Sequence, residues 1–319
     1  MKVLIISSYI FGYLEHLKPA LLKLDIEAEF LYHGKAPLNF EYKNKIHHVT
    51  SFFKKAIGLN TKMSFRHNAI RNFVEETTYD QVLVIHPQYI PHKTHLFLKS
   101  HTNRYITFLF DSMAKMPRQK PVLKHFDEVF SYEKADCERY GFQFLTNFIP
   151  QSEYSRRSIT TPKLNFFNIS TYDERFETLE SIALELTKHQ LNYEFFVYSS
   201  KNKISKTVQF ITKKLDCDFV HKKILKANGL VDIQRVDQKG LSFRIFESLG
   251  FRKKLITTNA DVANYDFYNP SNILIVNPNE IKLTEEFLKS SYQDISPNIL
   301  SQYKPENWLI KILNLNPSN

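Results

Sequence analysis

Apolar residues along this chain gather in short runs of strand length, separated by stretches with helical spacing. In the first half the runs fall at residues 3–6, 28–32, 81–85, 105–110 and 128–131. In the second half they fall at residues 164–169, 193–198, 217–220, 229–233, 254–257 and 272–276. They are rich in β-branched and aromatic residues, the composition of strands. Their alternation with helices predicts βαβ units. The expected fold class is therefore α/β, with two Rossmann-like doubly wound domains. A largely polar segment, residues 148–162, contains Pro150 and Pro162 with Arg156 and Arg157 between them, and is the expected linker. The expected domains are residues 1–155 and 162–300, with residues 301–319 as a C-terminal helix packing across both.

Helix signals refine this outline. Thr171 and Glu174 have the spacing of a capping box, in which each side chain satisfies a backbone N–H at a helix start. Phe176, Leu179, Ile182, Ala183 and Leu186 follow at helical spacing and predict a face packed on the sheet. The tail from Pro305 through Trp308, Ile310, Ile312, Leu313 and Leu315 reads as a last amphipathic helix.

Composition narrows the classes. Of 319 residues, 43% are hydrophobic and 24% charged, which excludes disorder and collagen. Cys137 and Cys217 are too few for a disulfide framework and suit a reducing compartment. No apolar run reaches the roughly 18 residues of a membrane span. Residues 3–6 lack a long apolar core and a cleavage site, so they read as a first strand rather than a signal peptide. The expected location is cytoplasmic. Lys and Arg number 43 against 33 Asp and Glu, a net charge of +10, so an anionic partner is expected.

Several chemistries lack their signatures. No G-x-G-x-x-G or G-x-x-x-x-G-K-[ST] follows any strand, against nicotinamide dehydrogenases and P-loop NTPases. H-E-x-x-H and G-x-S-x-G are absent too. His86, His92, His95 and His101 lie close in sequence without acidic or cysteine ligands at interlocking spacing, so no metal site is expected.

The most informative stretch is residues 238–259, QKGLSFRIFESLGFRKKLITTN. Gly240 permits a tight loop, Ser242 can cap a helix beginning there, and Gly250 can end it in a left-handed conformation. The free N–H groups and positive dipole end of such a helix form an anion site, reinforced by Lys239 and Arg244. Glu247 lies three residues after Arg244 on the same face, where a carboxylate can accept hydrogen bonds from ribose hydroxyls. The same two residues also read as a surface i,i+3 ion pair.

This stretch, with the later Tyr265-Asp266-Phe267-Tyr268-Asn269-Pro270, resembles the nucleotide-sugar-binding segment of GT-B glycosyltransferases, in particular the CgeB-like and lipopolysaccharide-core enzymes of bacteria. The likeness is most specific over residues 230–277. It extends more weakly to residues 167–176, which include Arg175, and to residues 108–112. It implies two domains facing a cleft, the C-terminal one holding a nucleotide-diphosphate sugar and the N-terminal one the acceptor. Carried onto this chain, it implies that Glu247 holds the ribose, that Arg244 with the backbone of Gly240, Leu241 and Ser242 holds the diphosphate, and that Lys239 and Arg175 belong to the same site. No further cofactor is implied. Many retaining members carry a second glutamate eight positions before the ribose carboxylate, where this chain has Lys239. The stereochemical outcome therefore stays open.

For the acceptor side, Asp111 and His86 each follow a predicted strand, and the carboxyl ends of strands in open α/β sheets face the ligand crevice. Either can serve as general base; either can equally be a helix cap or a loop hydrogen-bonding group. Gly12, after the first strand, allows close approach of a ligand or simply turns the chain. Residues 43–71 interleave Lys43, Lys45, Lys54, Lys55, Lys62, Arg66 and Arg71 with large apolar residues. That pattern fits contact with an anionic inner membrane, tracking of a nucleic acid, or a solvated face over an ordinary core stripe. The leading expectation is a glycosyltransferase acting on a cell-envelope glycan or glycolipid acceptor, with no nucleic-acid partner. The alternatives are a basic nucleic-acid-binding protein and a non-catalytic nucleotide-sugar-binding protein.

Overall fold

The structure is a computed structural model that describes residues 1–9, 12–150, 165–213 and 215–315. The linker expected at 148–162 lies outside the described residues from 151 onward, as do Arg156, Arg157 and the domain limits at 155 and 162. The chain divides into two compact units, one of Met1–Leu145 with Leu309–Asn319, the other of Thr146–Trp308.

The first unit runs β1 (Lys2–Ser8), α1 (Leu17–Lys23), β2 (Glu27–His33), α2 (Lys45–Ala56), α3 (Thr61–Val74) and β3 (Tyr79–Ile85). It continues with α4 (His92–Lys99), β4 (Thr102–Leu109), β5 (Glu128–Ser131), α5 (Lys134–Tyr140) and β6 (Gln143–Phe144). The strands form one parallel sheet in the order β2-β1-β3-β4-β5-β6. Leu4, Ile6, Val82 and Val84 on one face of the sheet pack with Ile70 and Val74 of α3 and Leu98 of α4. At its N-terminal edge, Arg104 Nη1 and Gln81 Nε2 donate to the carbonyls of Ile312 and Leu313 at 2.9 and 2.7 Å.

The second unit runs β7 (Asn165–Thr171), α6 (Phe176–Lys188), β8 (Asn192–Tyr198), β9 (Gln209–Ile211), α7 (Cys217–Lys226) and β10 (Gly229–Asp232). After these come α8 (Phe243–Gly250), β11 (Lys254–Thr257), β12 (Ile273–Ile275), α9 (Glu285–Lys289), α10 (Pro297–Gln302) and α11 (Pro305–Ile312), the last of which ends in the first unit. Its sheet is parallel, in the order β12-β11-β10-β7-β8-β9. Successive strand residues serve opposite faces, as the two-residue period requires. Phe166, Val231 and Ile256 meet the α6 stripe of Leu179, Ile182, Ala183 and Leu186. Their neighbours Phe167, Leu230 and Leu255 meet Val220 and Ile224 of α7 and Ile245, Phe246 and Leu249 of α8. Both faces are covered, which is why the strands read as continuous apolar runs. Both units are thus Rossmann-like α/β layers.

Three local expectations are corrected. Residues 217–220 are the first turn of α7 and not a strand: the Asp216 carboxylate accepts the Phe219 N–H at 2.7 Å, and Val220 and Ile224 form the buried stripe. The neighbour of β8 is instead the short β9. Thr171 does not cap a helix, because β7 extends through it and α6 begins five residues later, at Phe176, with Arg175 in the cap position. Gly250 ends α8 without a left-handed turn, which falls at Arg252 with φ 52°.

Candidate functional site

In the second unit the chain leaves β7 toward β8 on one side and returns through β10 toward β11 on the other, so the direction of winding reverses between β7 and β10. In open α/β sheets ligands bind outside the carboxyl ends of the strands at such a reversal. What stands there is the loop 172–175 after β7 and the loop 233–242 after β10, which leads into α8. Ser242 caps α8: its hydroxyl oxygen accepts the Arg244 N–H at 3.2 Å and its O–H donates to Asp232 Oδ1 at 2.7 Å. Asp232, the last residue of β10, also accepts from the Thr257 hydroxyl at the end of β11, at 3.1 Å. Asn259 Nδ2 donates to the Lys239 carbonyl at 3.0 Å. Strand ends, loop and helix start are thereby fixed to one another, with the α8 N-terminus at the reversal.

Behind that N-terminus, Arg244 Nη1 lies 2.6 Å from Glu247 Oε2, with only 12% and 3% of the two side chains exposed. The Arg244 guanidinium lies 5.9 Å from the ring centre of Phe167 on β7. The i,i+3 pairing read from the sequence is present, but it is buried and not a surface pair. Ion pairs taken out of water seldom add net stability over apolar residues of equal volume, which makes such a pair a candidate for function.

Arg175 closes the other side. Its Nε and Nη2 donate to the two oxygens of Asp173 at 2.9 and 2.7 Å, and Nη1 donates to the Ile233 carbonyl at 3.1 Å. Arg235 Nη2 meets the same carboxylate at 2.9 Å. Burial opposes ionisation of Asp173, but the hydrogen bonds and charge of Arg175, with the charge of Arg235, hold its carboxyl below the usual range. Arg175 is thus a brace between the two loops. No sequence signal assigns a role to Asp232, Asp173 or Arg235, although Asp232 lies in the predicted strand 229–233 and Asp173 in the stretch 167–176. The basic step after α8 is engaged elsewhere: Lys253 Nζ donates to the Leu225 carbonyl at 2.9 Å, and Lys254 Nζ to the Phe287 carbonyl and the Ser290 hydroxyl.

The first unit reverses between β1 and β3. His86 follows β3 directly and is held at φ 61°, ψ 60°, a left-handed conformation uncommon outside glycine and concentrated at functional sites. Asp111 follows β4. The structure brings the two together, His86 Nε2 lying 3.7 Å from Asp111 Oδ2. Asp111 is the more accessible of the pair, with 24% of its side chain exposed against 10% for His86.

His95, by contrast, is structural. It is buried with Nδ1 at 2.7 Å from the Tyr105 hydroxyl and Nε2 at 3.1 Å from the Pro87 carbonyl. Burial pushes its pKa down to about 4, helped by the charges of His125 and His92. Among the described residues, no group of three or more His, Cys, Asp or Glu is placed to hold a metal ion. The basic region 43–71 divides in two. On α2 and just past its end, Ile46, Val49, Phe52, Phe53 and Ile57 are 51–74% exposed beside exposed Lys45, Lys54 and Lys55. Arg66 on α3, by contrast, is buried. No described helix is long and apolar enough to cross a membrane.

No protein-family model matches the chain, and no curated protein resembles it in sequence. Solved structures resemble it in fold. The apo form of the lipopolysaccharide outer core galactosyltransferase WaaB superposes with a TM-score of 0.55 at 12% identity, covering 98% of both chains. The UDP-GlcNAc 2-epimerase of Methanocaldococcus jannaschii gives 0.54 at 12% identity, over 99% of this chain and 100% of that one. The catalytic domain of starch synthase IV from Arabidopsis thaliana, bound to ADP and acarbose, gives 0.53 at 8% identity, over 100% and 96%. With two parallel, doubly covered sheets and these neighbours along its whole length, the chain has a GT-B-like fold.

Proposed function

We propose that this protein is a glycosyltransferase that moves a sugar from a nucleotide diphosphate to a glycan or lipid-linked glycan of the bacterial envelope. The observation that carries the reading is the Ser242-capped N-terminus of α8, set at the reversal point of the second sheet with the buried Arg244–Glu247 pair behind it. Backbone N–H groups there, with Arg244, suit a diphosphate; Glu247 suits the ribose hydroxyls. Asp173, Arg175 and Arg235 position the two loops around the same point. Lys239, Gly240 and Leu241 line the approach to the helix. The fold neighbours support the class, since a galactosyltransferase, an epimerase of a nucleotide sugar and an ADP-bound synthase share the architecture.

In the first unit, Asp111 takes the proton of the attacking acceptor hydroxyl and His86 positions it, because Asp111 is the more exposed partner of the pair. The exposed apolar and lysine residues of α2 suit peripheral contact with an anionic membrane, where a lipid-linked acceptor is met. The direct test is a thermal-shift screen of nucleoside diphosphates, followed by incubation of the matching labelled nucleotide sugar with and without envelope glycolipid. A stabilising nucleoside diphosphate and label transfer that requires acceptor support the reading. Isomerisation of the nucleotide sugar without acceptor identifies an epimerase, and binding without turnover a non-catalytic protein.

A further inference from the structure

Around Tyr89, just after β3, the first unit gathers polar side chains several of whose hydrogen-bonding atoms meet nothing among the described residues. His33, the last residue of β2, has its ring 6.1 Å from the Tyr89 ring, and His86 has its ring 5.8 Å away. Arg66 of α3 donates from Nη1 to the Tyr89 carbonyl at 2.9 Å, with its guanidinium 5.6 Å from the Tyr89 ring centre. His33, Arg66 and His86 are each 8% exposed. Yet both ring nitrogens of His33, Nδ1 of His86, Nε of Arg66 and both amide atoms of Gln88 have no hydrogen-bond partner among the described residues.

Leaving a buried polar atom without a partner is costly, and folded proteins retain few of them. Their concentration on one loop and two adjoining elements at the carboxyl edge of a parallel sheet marks a place that a ligand completes. The sign of the site is positive. Arg66 has no acidic partner among the described residues, and burial together with the charges of Arg66, His86 and Lys62 pushes the His33 pKa down to about 3. At neutral pH each imidazole still has one N–H to donate, and the Nε–H of Arg66 adds a charged donor. The Asp111 carboxylate stands beside the group, 3.7 Å from His86 Nε2.

We propose that His33, Arg66 and the loop carrying His86 and Gln88 hold an oxyanion of the acceptor, so that the acceptor is a sugar bearing a phosphate or carboxylate whose hydroxyl reaches Asp111. The inference rests on the glycosyltransferase reading and names the acceptor class for it.

The test uses the whole protein, labelled at histidine, titrated with glucose 6-phosphate, glucuronate and glucose at constant ionic strength while the ring resonances of His33 and His86 are followed. The expected result is that at least one anionic sugar shifts both rings and binds at least about ten-fold more tightly than glucose, and that His33→Gln and Arg66→Gln each weaken it by about ten-fold or more. Arg66→Lys keeps the charge and loses the Nε donor; if the glutamine variant does not fold, this variant is expected to weaken the anion by at least about three-fold. Whether the phosphate or the carboxylate responds distinguishes a phosphorylated acceptor from an acidic sugar. Unmoved His33 resonances, a response to glucose equal to that of both anions, or variants that bind like the parent overturn the proposal. Nucleoside diphosphate binding, measured on the same samples by thermal shift, separates the two readings. If it is intact where the anion fails, this inference alone falls; if it is absent where the anion binds, the donor reading falls.

Discussion

Replacing Glu247 tests the donor site because the same carboxylate is assigned two tasks that separate experimentally. In Glu247→Ala the Arg244 guanidinium, whose side chain is 12% exposed, no longer faces a carboxylate 2.6 Å away. Breaking one side of a buried pair costs about 3–5 kcal/mol of folding stability. The same change removes the acceptor for the ribose hydroxyls. Hydrogen bonds to a charged group are worth about 1.5–3 kcal/mol each, so each one lost weakens nucleoside diphosphate binding by about ten- to hundred-fold. Arg244→Met combined with Glu247→Leu separates the effects, since apolar residues of similar volume generally restore the stability of a buried pair. Urea unfolding is expected to show the single variant well below the parent and the double variant close to it. Calorimetric titration of nucleoside diphosphate is expected to show both variants defective. A double variant that is stable and binds the nucleotide like the parent would refute the reasoning and leave the pair a packing feature of α8.

Asp111→Asn is expected to reduce transfer by about 10²–10⁴ while donor affinity stays within a few fold, measured by initial rates and titration; transfer near the parent's rate moves the base to His86. Gly229→Ala places a Cβ 2.4 Å from the ring of the buried Phe166, so overpacking of about 1–3 kcal/mol is expected in urea unfolding, and a parent-like midpoint would show that the ring moves aside freely. His33 and His95 have folded pKa values near 3 and 4, below the roughly 6.5 of an unfolded histidine. Their neutral forms therefore support the fold fully above about pH 6.5, and stability falls as the pH drops from there toward 4 because only the unfolded chain takes up the protons. His33→Gln should flatten that dependence between pH 7 and 5, and an unchanged slope would assign it to other groups. Phe52→Ser with Phe53→Ser is expected to reduce sedimentation with anionic vesicles in a salt-sensitive way; equal partitioning of parent and variant would make α2 an ordinary solvated face.

What the sequence determines here is what short-range physics determines. Runs such as Val3–Ile6, apolar on both faces, read as strands because a doubly covered sheet leaves no polar side to alternate. Ser242 reads as a cap because the hydroxyl and the N–H that it accepts are two residues apart. The Arg244–Glu247 pair is legible for the same reason, one helical turn on one face. Where a local signal has two readings, the tertiary structure chooses. The apolar pair Phe219 and Val220 fits strand or helix, and the Asp216 cap with Ile224 in the same stripe makes it α7. Thr171 has a capping spacing, but pairing with β8 keeps it extended. Arg244 stands over Phe167 of β7 and Arg66 turns inward onto Tyr89, neither of which spacing along a helix reveals. In the candidate acceptor site, His86 and Asp111 are legible as residues that follow strands, but that they meet, and that His33 and Arg66 join His86 around the Tyr89 ring, is decided only by the parallel sheet, with its strand ends at one edge and α3 packed on its face.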